Sequence, residues 1–237
     1  MYTPQDTEQT LFDIVFVPGL GRHPIKTWQY SKTVPNRGAD HKPRDAHRDD
    51  DEQCFWPLDL IPNDFPNARV LIFGYKSALG STSTGLSDLG HQLLDSLSDI
   101  RTSCLKRPLI FVGHSLGGLV IKSALLSSSQ QLESPSAHSI FKSTYSIIFF
   151  GTPHRGASVS QLSRILANIS RAAAISVANE KVLGKIRQGG WAVKELSEDF
   201  STICNDGNIQ LCSLQERRPT GAIGMVSNGR RIHECYS

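Results

Sequence analysis

The stretch PLIFVGHSLGGLVIK, residues 108–122, decides the fold of this chain. It opens with a short apolar run, residues 109–112, whose aromatic and β-branched members are typical of a strand buried on both faces. From Leu116 onward, apolar residues recur at helical spacing, with Lys122 and Ser123 between them. This order predicts a strand, a sharp turn and a helix.

The turn itself, Gly113-His-Ser-Leu-Gly117, has the G-x-S-x-G pattern of a nucleophile elbow. A serine in such a turn occupies strained backbone, and each flanking position needs glycine because a Cβ would collide with the neighbouring strand or helix. The pattern alone matches by chance in roughly 0.1 of chains of this length, so the strand before it and the helix after it carry the prediction. Ser115 is therefore the candidate nucleophile, and the alternative is a glycine-rich turn with an idle serine.

Composition limits the class of protein. The 237 residues are 39% hydrophobic and 20% charged, with a net charge of +3, which suits a single α/β domain over residues 1–237. Without a basic stripe interleaved with aromatic residues, nucleic-acid binding is not expected. Five scattered cysteines without a C-x-x-C pair favour reduced thiols in an intracellular, cytoplasmic protein and argue against a disulfide framework or a zinc site. No metal and no other cofactor is expected. Neither a signal peptide nor a membrane-spanning run is expected.

A glycine-rich loop, Pro18-Gly-Leu-Gly21, follows a second apolar strand candidate at residues 12–17. In an α/β-hydrolase, such a loop supplies one backbone N–H of the oxyanion hole, and the residue after the nucleophile supplies the other. The candidates are the N–H groups of Leu20 and Leu116, with Gly19 lining the pocket. Losing one such donor typically costs about 3 kcal/mol of transition-state stabilisation. An ordinary strand-to-helix turn is the alternative interpretation.

Further strands and helices complete an alternating pattern that predicts an α/β fold. Three more apolar runs suit strands, and two stretches have helical periodicity. The second helical stretch either caps the pocket or packs on the sheet, and two polar stretches are predicted to be a surface loop and a linker. The strands are residues 67–74, 145–150 and 208–214, the helical stretches 86–101 and 157–200, the surface loop 31–53 and the linker 127–139.

Three residues near the ends of predicted strands complete the candidate site, with a fourth in the tail. His114 lines the pocket, and His154 either lines it, acts as a base or is a structural histidine bonded within its turn. Glu216 follows the last strand, where this fold carries its acid, unless it belongs to a surface salt-bridge cluster. His233 is the one histidine beyond that acid and is therefore the candidate base.

Five motifs, taken in order, resemble the lipase-like α/β-hydrolase domains at the N-terminus of fungal NOD-like receptors, which are similar to the GPI inositol-deacylase and SERAC-type serine hydrolases. The resemblance implies a mostly parallel sheet with helices on both faces, and a lipase-like or esterase activity on a lipid or other acyl ester. It also implies peripheral contact with mitochondrial or endoplasmic-reticulum membranes, or protein partners in immune signalling. The motifs are VFVPGLGRHPIKTW (15–28), FWPLDLIP (55–62), DFPNARVLIFGY (64–75), GHSLGGLVIK (113–122) and FGTPHRG (150–156).

The chain departs from that pattern in two places. Pro18 stands where the family's first motif usually has histidine, and His233 lies only 17 positions after Glu216. Residues 223–237 form a divergent tail, so we expect the C-terminal part of the fold to be incomplete. The leading hypothesis is a serine hydrolase acting on a carboxylic ester, and the alternative is a catalytically impaired hydrolase-like module that serves interaction or signalling.

Overall fold

The structure is a computed structural model, and it describes residues 10–19, 23–31, 53–74, 85–154 and 190–214. Strands and helices alternate through most of these ranges, with a single 3-10 turn at Lys26–Trp28 before the second strand. The elements in chain order are β1 Phe12–Val17, β2 Gln29–Ser31, β3 Gln53–Phe55, α1 Trp56–Asp59, α2 Ile61–Asp64, β4 Ala68–Ile72, α3 Leu86–Ile100, β5 Leu109–His114, α4 Gly117–Gln130, α5 Pro135–Ser143, β6 Thr144–Phe150, α6 Gly190–Gly207 and β7 Gln210–Leu214.

Five of the strands form one parallel sheet in the order β4-β1-β5-β6-β7. In the register of this sheet, Val15 lies between Leu71 and Phe111. Parallel strands end at the same edge, so the residues that follow β1, β5 and β6 meet at the carboxyl edge of the sheet. The predicted parallel α/β sheet is confirmed, and β2 and β3 form a separate antiparallel pair.

Helices cover both faces of the sheet, as expected. Successive strand residues point to opposite faces, and in β1 this places Val15 and Phe16 in two different hydrophobic clusters. Helices α3 to α6 pack on the face of Val15. The short helices α1 and α2, with Trp28, pack on the face of Phe16. Burial on both faces explains why the strands read as continuous apolar runs rather than as alternating ones.

The helix after the elbow, α4, is buried on nearly all sides. Its polar residues Lys122 and Ser123 are buried, whereas an amphipathic pattern would place them in solvent. Ser123 is buried because helix α3 packs closely against it. A Cβ at Gly90 of α3 would lie 2.5 Å from Ser123 Oγ, so glycine at that position lets the two helices approach.

The prediction of a polar linker at residues 127–139 is wrong. Helix α4 continues into this stretch, and α5 begins within it. The serines are satisfied by local bonds rather than by solvent: Ser128 Oγ donates to the carbonyl of Ala137 (2.6 Å) and accepts from the N–H of Phe141 (2.8 Å). Ser134 caps α5 by accepting from a backbone N–H. A serine-rich stretch can therefore be two helix ends instead of a loop.

Several predicted segments fall wholly or partly outside the described residues. Strands β2 and β3 stand at the two ends of the predicted surface loop 31–53, and residues 32–52 between them are not described. Of the helical stretch 157–200, only the part that belongs to α6 is described. The tail 223–237 is outside as well. The division of residues 1–237 as a single domain stays a prediction.

The amino edge of the sheet holds a buried ionic group, which we call the Asp13 cluster: Asp13, Arg69, Arg101 and Arg107. Asp13 is 0% exposed and accepts two hydrogen bonds from Arg69, from Nε at 2.8 Å and from Nη2 at 2.7 Å. Arg101, also fully buried, donates to the same carboxylate, and Arg107 Nη1 lies 3.4 Å from it. Burial lowers the pKa of Arg101, and the charge of Asp13 opposes that effect.

Candidate active site

Ser115 lies in the two-residue turn between β5 and α4, at the carboxyl edge of the sheet. Its φ of 52° is in the left-handed region, which residues with a Cβ rarely adopt. Within the described ranges, Asn208 is the other non-glycine residue with positive φ. The Ser115 N–H donates to the carbonyl of Phe150 at 2.8 Å. The backbone thus holds this serine in the strained conformation that is typical of a nucleophile elbow.

The glycines on either side of Ser115 are sterically required, as predicted. A Cβ at Gly113 would lie 2.9 Å from Gly118 Cα, inside the first turn of α4. A Cβ at Gly117 would lie 2.3 Å from the carbonyl oxygen of Val17, at the end of β1. Both separations are shorter than any van der Waals contact, so a larger residue at either position would force the strand and helix apart.

The loop after β1 passes directly beside the serine. A Cβ at Gly19 would lie 3.2 Å from Ser115 Cβ and 3.4 Å from His114 Nδ1. Leu116 is the N-cap of α4 and is buried, so its N–H lies at a helix N-terminus, where backbone donors have no intrahelical acceptor. Leu20, the other predicted oxyanion donor, lies outside the described residues.

His114 contacts an aromatic cluster on the face of the sheet that carries Trp28. The His114 and Trp28 rings meet edge to face with centroids 6.0 Å apart. Trp28 in turn contacts Phe16 at 5.1 Å, Trp56 at 5.9 Å and Phe150 at 6.5 Å. His114 therefore lies between this largely buried cluster and the loop of Gly19.

His154 follows β6 at the same edge, and its side chain is directed to β7. Its Nε2 lies 3.3 Å from Ser213 Oγ, and its ring meets that of Phe149 edge to face at 4.7 Å. Burial, together with the positive charge of Lys122, lowers the pKa of His154 to about 3. In the described structure His154 makes no hydrogen bond to Ser115, which favours the structural interpretation of this histidine over the catalytic one.

Lys122 is a buried cation that the sequence pattern did not single out. Its side chain is 3% exposed, and Nζ donates to Ser197 Oγ of α6 at 3.2 Å. The ammonium group also lies over two rings, 5.2 Å from the centroid of Phe200 and 5.8 Å from that of Phe149. These three contacts come from α6 and β6, which are distant in the chain, so a local sequence pattern does not reveal that Lys122 is buried.

The remaining predicted catalytic residues, Glu216 and His233, lie outside the described residues. Strand β7 ends at Leu214, two positions before Glu216, and the carbonyl of Leu214 accepts from the Gly151 N–H at 2.9 Å. The end of β7 is therefore joined to the end of β6. Within the described ranges, no helix is both long and apolar enough to cross a bilayer, and no group of three His, Cys, Asp or Glu side chains could hold a metal ion.

The chain is similar to known proteins over most of its length. It is 28% identical to Protein SERAC1 of Danio rerio over 217 residues, which is 88% of this chain and 30% of that protein. Human Protein SERAC1 is 26% identical over 219 residues, or 90% of this chain and 31% of that protein. The chain thus spans about a third of the length of these relatives.

Two further comparisons concern a solved structure and a family of sequences. The crystal structure of Bacillus licheniformis lipase BlEst2 in mature form matches with a TM-score of 0.45 at 15% identity, covering 90% of this chain and 68% of that one. The family described as "Putative serine esterase (DUF676)" matches residues 57–190, which is more than half of the chain and includes the elbow and β6. The chain belongs to this DUF676 family.

Proposed function

We propose that this chain is a serine hydrolase that cleaves a carboxylic ester, with Ser115 as its nucleophile. The observation that carries the proposal is the backbone of Ser115. Its φ of 52° is maintained between two glycines, Gly113 and Gly117, at which a Cβ would clash with neighbouring backbone. Strain of this kind costs about 1–3 kcal/mol and persists where function requires it. Membership of a serine esterase family supports the same assignment.

The reaction follows from the groups around the serine. Ser115 Oγ attacks the ester carbonyl carbon, and its proton passes to a histidine, for which the sequence offers His233. Glu216 orients that histidine. The N–H groups of Leu20 and Leu116 hold the oxyanion, and the alcohol leaves with the proton. Water then attacks the acyl-enzyme and releases the acid, which restores Ser115.

The substrate class that suits this site is a lipid or other acyl ester. Trp56 and Phe150 pack on the buried ring of Trp28 and are themselves only partly buried, so their rings offer an apolar surface to an acyl chain. The proposal includes an intracellular location with peripheral contact to mitochondrial or endoplasmic-reticulum membranes, as the family resemblance of the sequence motifs implies. Protein partners belong to it if the chain acts in signalling.

A fluorophosphonate probe tests the nucleophile directly. It should label the wild-type chain at Ser115, and Ser115→Ala should abolish labelling while leaving the fold intact. A panel of p-nitrophenyl esters of graded acyl length then ranks the substrates, with Ser115→Ala as the matched control. We expect the variant to lose at least about 10⁴-fold in kcat. Labelling that survives in Ser115→Ala would refute the assignment.

The alternative to an active hydrolase is a catalytically impaired hydrolase-like module. A serine without a general base retains only the oxyanion hole and substrate binding, worth about 10³–10⁴ over water in a well-studied protease. If probe labelling of Ser115 is absent in the folded wild type, or if His233→Ala leaves the rate unchanged, the catalytic triad proposed here is wrong.

A further inference from the structure

One peptide group connects the nucleophile to the end of β7. The carbonyl of Phe150 accepts from the Ser115 N–H at 2.8 Å, and the N–H of the same peptide, that of Gly151, donates to Leu214 O at 2.9 Å. A shift at the end of β7 therefore moves the acceptor of the nucleophile's own backbone. Because Glu216 follows two positions after Leu214, this peptide also links Ser115 to the segment that leads to the proposed acid.

His154 reinforces that junction with its side chain. Phe149 and Ser213 are partners in the register of β6 and β7, and His154 contacts both. Its Nε2 lies 3.3 Å from Ser213 Oγ, while its ring packs edge on against Phe149 with centroids 4.7 Å apart. The imidazole thus spans the two strands one residue before each of them ends.

The protonation state of His154 fits a fixed contact rather than proton transfer. Burial and the charge of Lys122 lower the pKa of His154 to about 3, so the ring is neutral at neutral pH. A general base works best with a pKa near the operating pH. The neutral ring can accept from or donate to Ser213 and carries no charge that would have to be solvated in the apolar surroundings of Phe149.

We propose that His154 is a positioning residue, which through its hydrogen bond to Ser213 fixes the end of β7, and with it the acid segment, relative to Ser115. The catalytic part of this inference rests on the proposed serine hydrolase function. Its structural part does not: His154 holds the ends of β6 and β7 together through its contacts with Phe149 and Ser213, an arrangement we call the clamp. His154 itself takes no proton in the reaction. Its effect is on the geometry that the acid and base adopt around Ser115.

Four variants test the catalytic part. His154→Leu and Ser213→Ala each remove the bond, and each should lower kcat by about 10–100-fold with KM within about threefold. Counting active sites with the fluorophosphonate probe corrects for protein that does not fold. Because both changes break one contact, the double variant should fall no further than the worse single variant. His154→Gln, whose amide can bond Ser213, should restore kcat to within about threefold of wild type.

Hydrogen exchange at the Gly151 amide tests the clamp without any activity. Exchange should be faster by about tenfold or more in His154→Leu and Ser213→Ala than in wild type and in His154→Gln. Unchanged exchange, or additive losses of kcat in the double variant, would overturn the inference. If exchange behaves as expected but wild-type Ser115 is never labelled, the clamp stands and the hydrolase proposal fails, so the two failures are distinguishable.

Discussion

The polar groups and the backbone differ between the two edges of the parallel sheet. At the amino edge, both oxygens of Asp13 are bonded to arginines, and no residue of the Asp13 cluster has a left-handed backbone. At the carboxyl edge, Ser115 is held at a φ of 52°, and buried His154 has its pKa lowered to about 3, so that it is neutral at neutral pH. The same strands, β1 and β5, connect the two edges.

The contrast suggests that one edge of the sheet serves stability and the other serves the proposed chemistry. At the amino edge, long-range ion pairs join β1 to β4 and to the residues that follow α3 and precede β5. The carboxyl edge stores strain that the rest of the fold must maintain. We therefore expect substitutions at the amino edge to act on the free energy of unfolding, and substitutions at the carboxyl edge to act on reactivity first.

The largest effect on stability is expected for Asp13→Asn. Arg101 would remain fully buried without a counter-charge, which typically costs about 3–5 kcal/mol of the free energy of unfolding. Urea denaturation measures it. The matched control is Arg107→Ala, since Arg107 is partly exposed and its contact is 3.4 Å long, so its loss should cost less than about 1 kcal/mol. Equal effects of the two changes would show that water reaches the cluster.

A smaller loss of stability is expected for Gly117→Ala, at the carboxyl edge of the sheet. The new Cβ would lie 2.3 Å from Val17 O, so β1 and α4 must separate, at a cost of about 1–3 kcal/mol. Unlike Asp13→Asn, this change should also slow probe labelling of the folded protein, because it displaces the turn of Ser115. Gly85→Ala is the control, since its Cβ would have its nearest neighbour at 3.7 Å. Normal labelling of Gly117→Ala would contradict the steric role of this glycine.

The structure of each edge is predictable from the sequence only where the residues in contact lie close together in the chain. The elbow was predictable because strand, turn and helix are adjacent in the chain, and the steric need for glycine is local. The Asp13 cluster was not, since its pairs lie 56 to 94 positions apart, and the same holds for Lys122, whose partner Ser197 is 75 positions away. Whether a polar residue is buried depends on what a distant segment packs against it, and a local pattern does not contain that information.

The serine-rich stretch 127–139 shows the converse error. Its composition favours a linker, but Ser128 in α4 bonds to backbone groups of α5, and Ser134 caps the beginning of α5. Of the candidate site, Ser115, Leu116, Gly19, His114 and His154 are found at one edge of the sheet, as the order of the strands predicts. The role of each in catalysis stays a prediction.

The third prediction concerns the pH dependence of stability that His154 causes at the carboxyl edge. The pKa of His154 is lowered to about 3 from 6.5, so the unfolded chain binds a proton below pH 6.5 that the folded chain does not. Stability from this group is complete above pH 6.5 and is lost as pH falls toward 3. Between pH 7 and pH 5 we expect the free energy of unfolding to fall by about 1–2 kcal/mol from this site.

The control for that measurement is His154→Gln, which cannot titrate but keeps a partner for Ser213. Its free energy of unfolding should depend less on pH over the same interval, by about one proton. If the slope in His154→Gln equals that of wild type, the histidine is solvated and titrates normally in the folded protein.

The smallest expected effect is a gain in stability from Ser115→Gly, and it measures the strain at the carboxyl edge directly. Glycine adopts a φ of 52° without the penalty of a Cβ, so the variant should be more stable by about 1 kcal/mol, while probe labelling disappears. Asn208 has nearly the same φ, 51°, but asparagine tolerates this region through local hydrogen bonds. Asn208→Gly should therefore gain only a few tenths of a kcal/mol, offset by the greater freedom of glycine in the unfolded chain. Urea denaturation of the two variants side by side measures the difference. A loss of stability in Ser115→Gly would mean that the serine hydroxyl contributes more to the turn than the strain removes, and that this edge is built for stability after all.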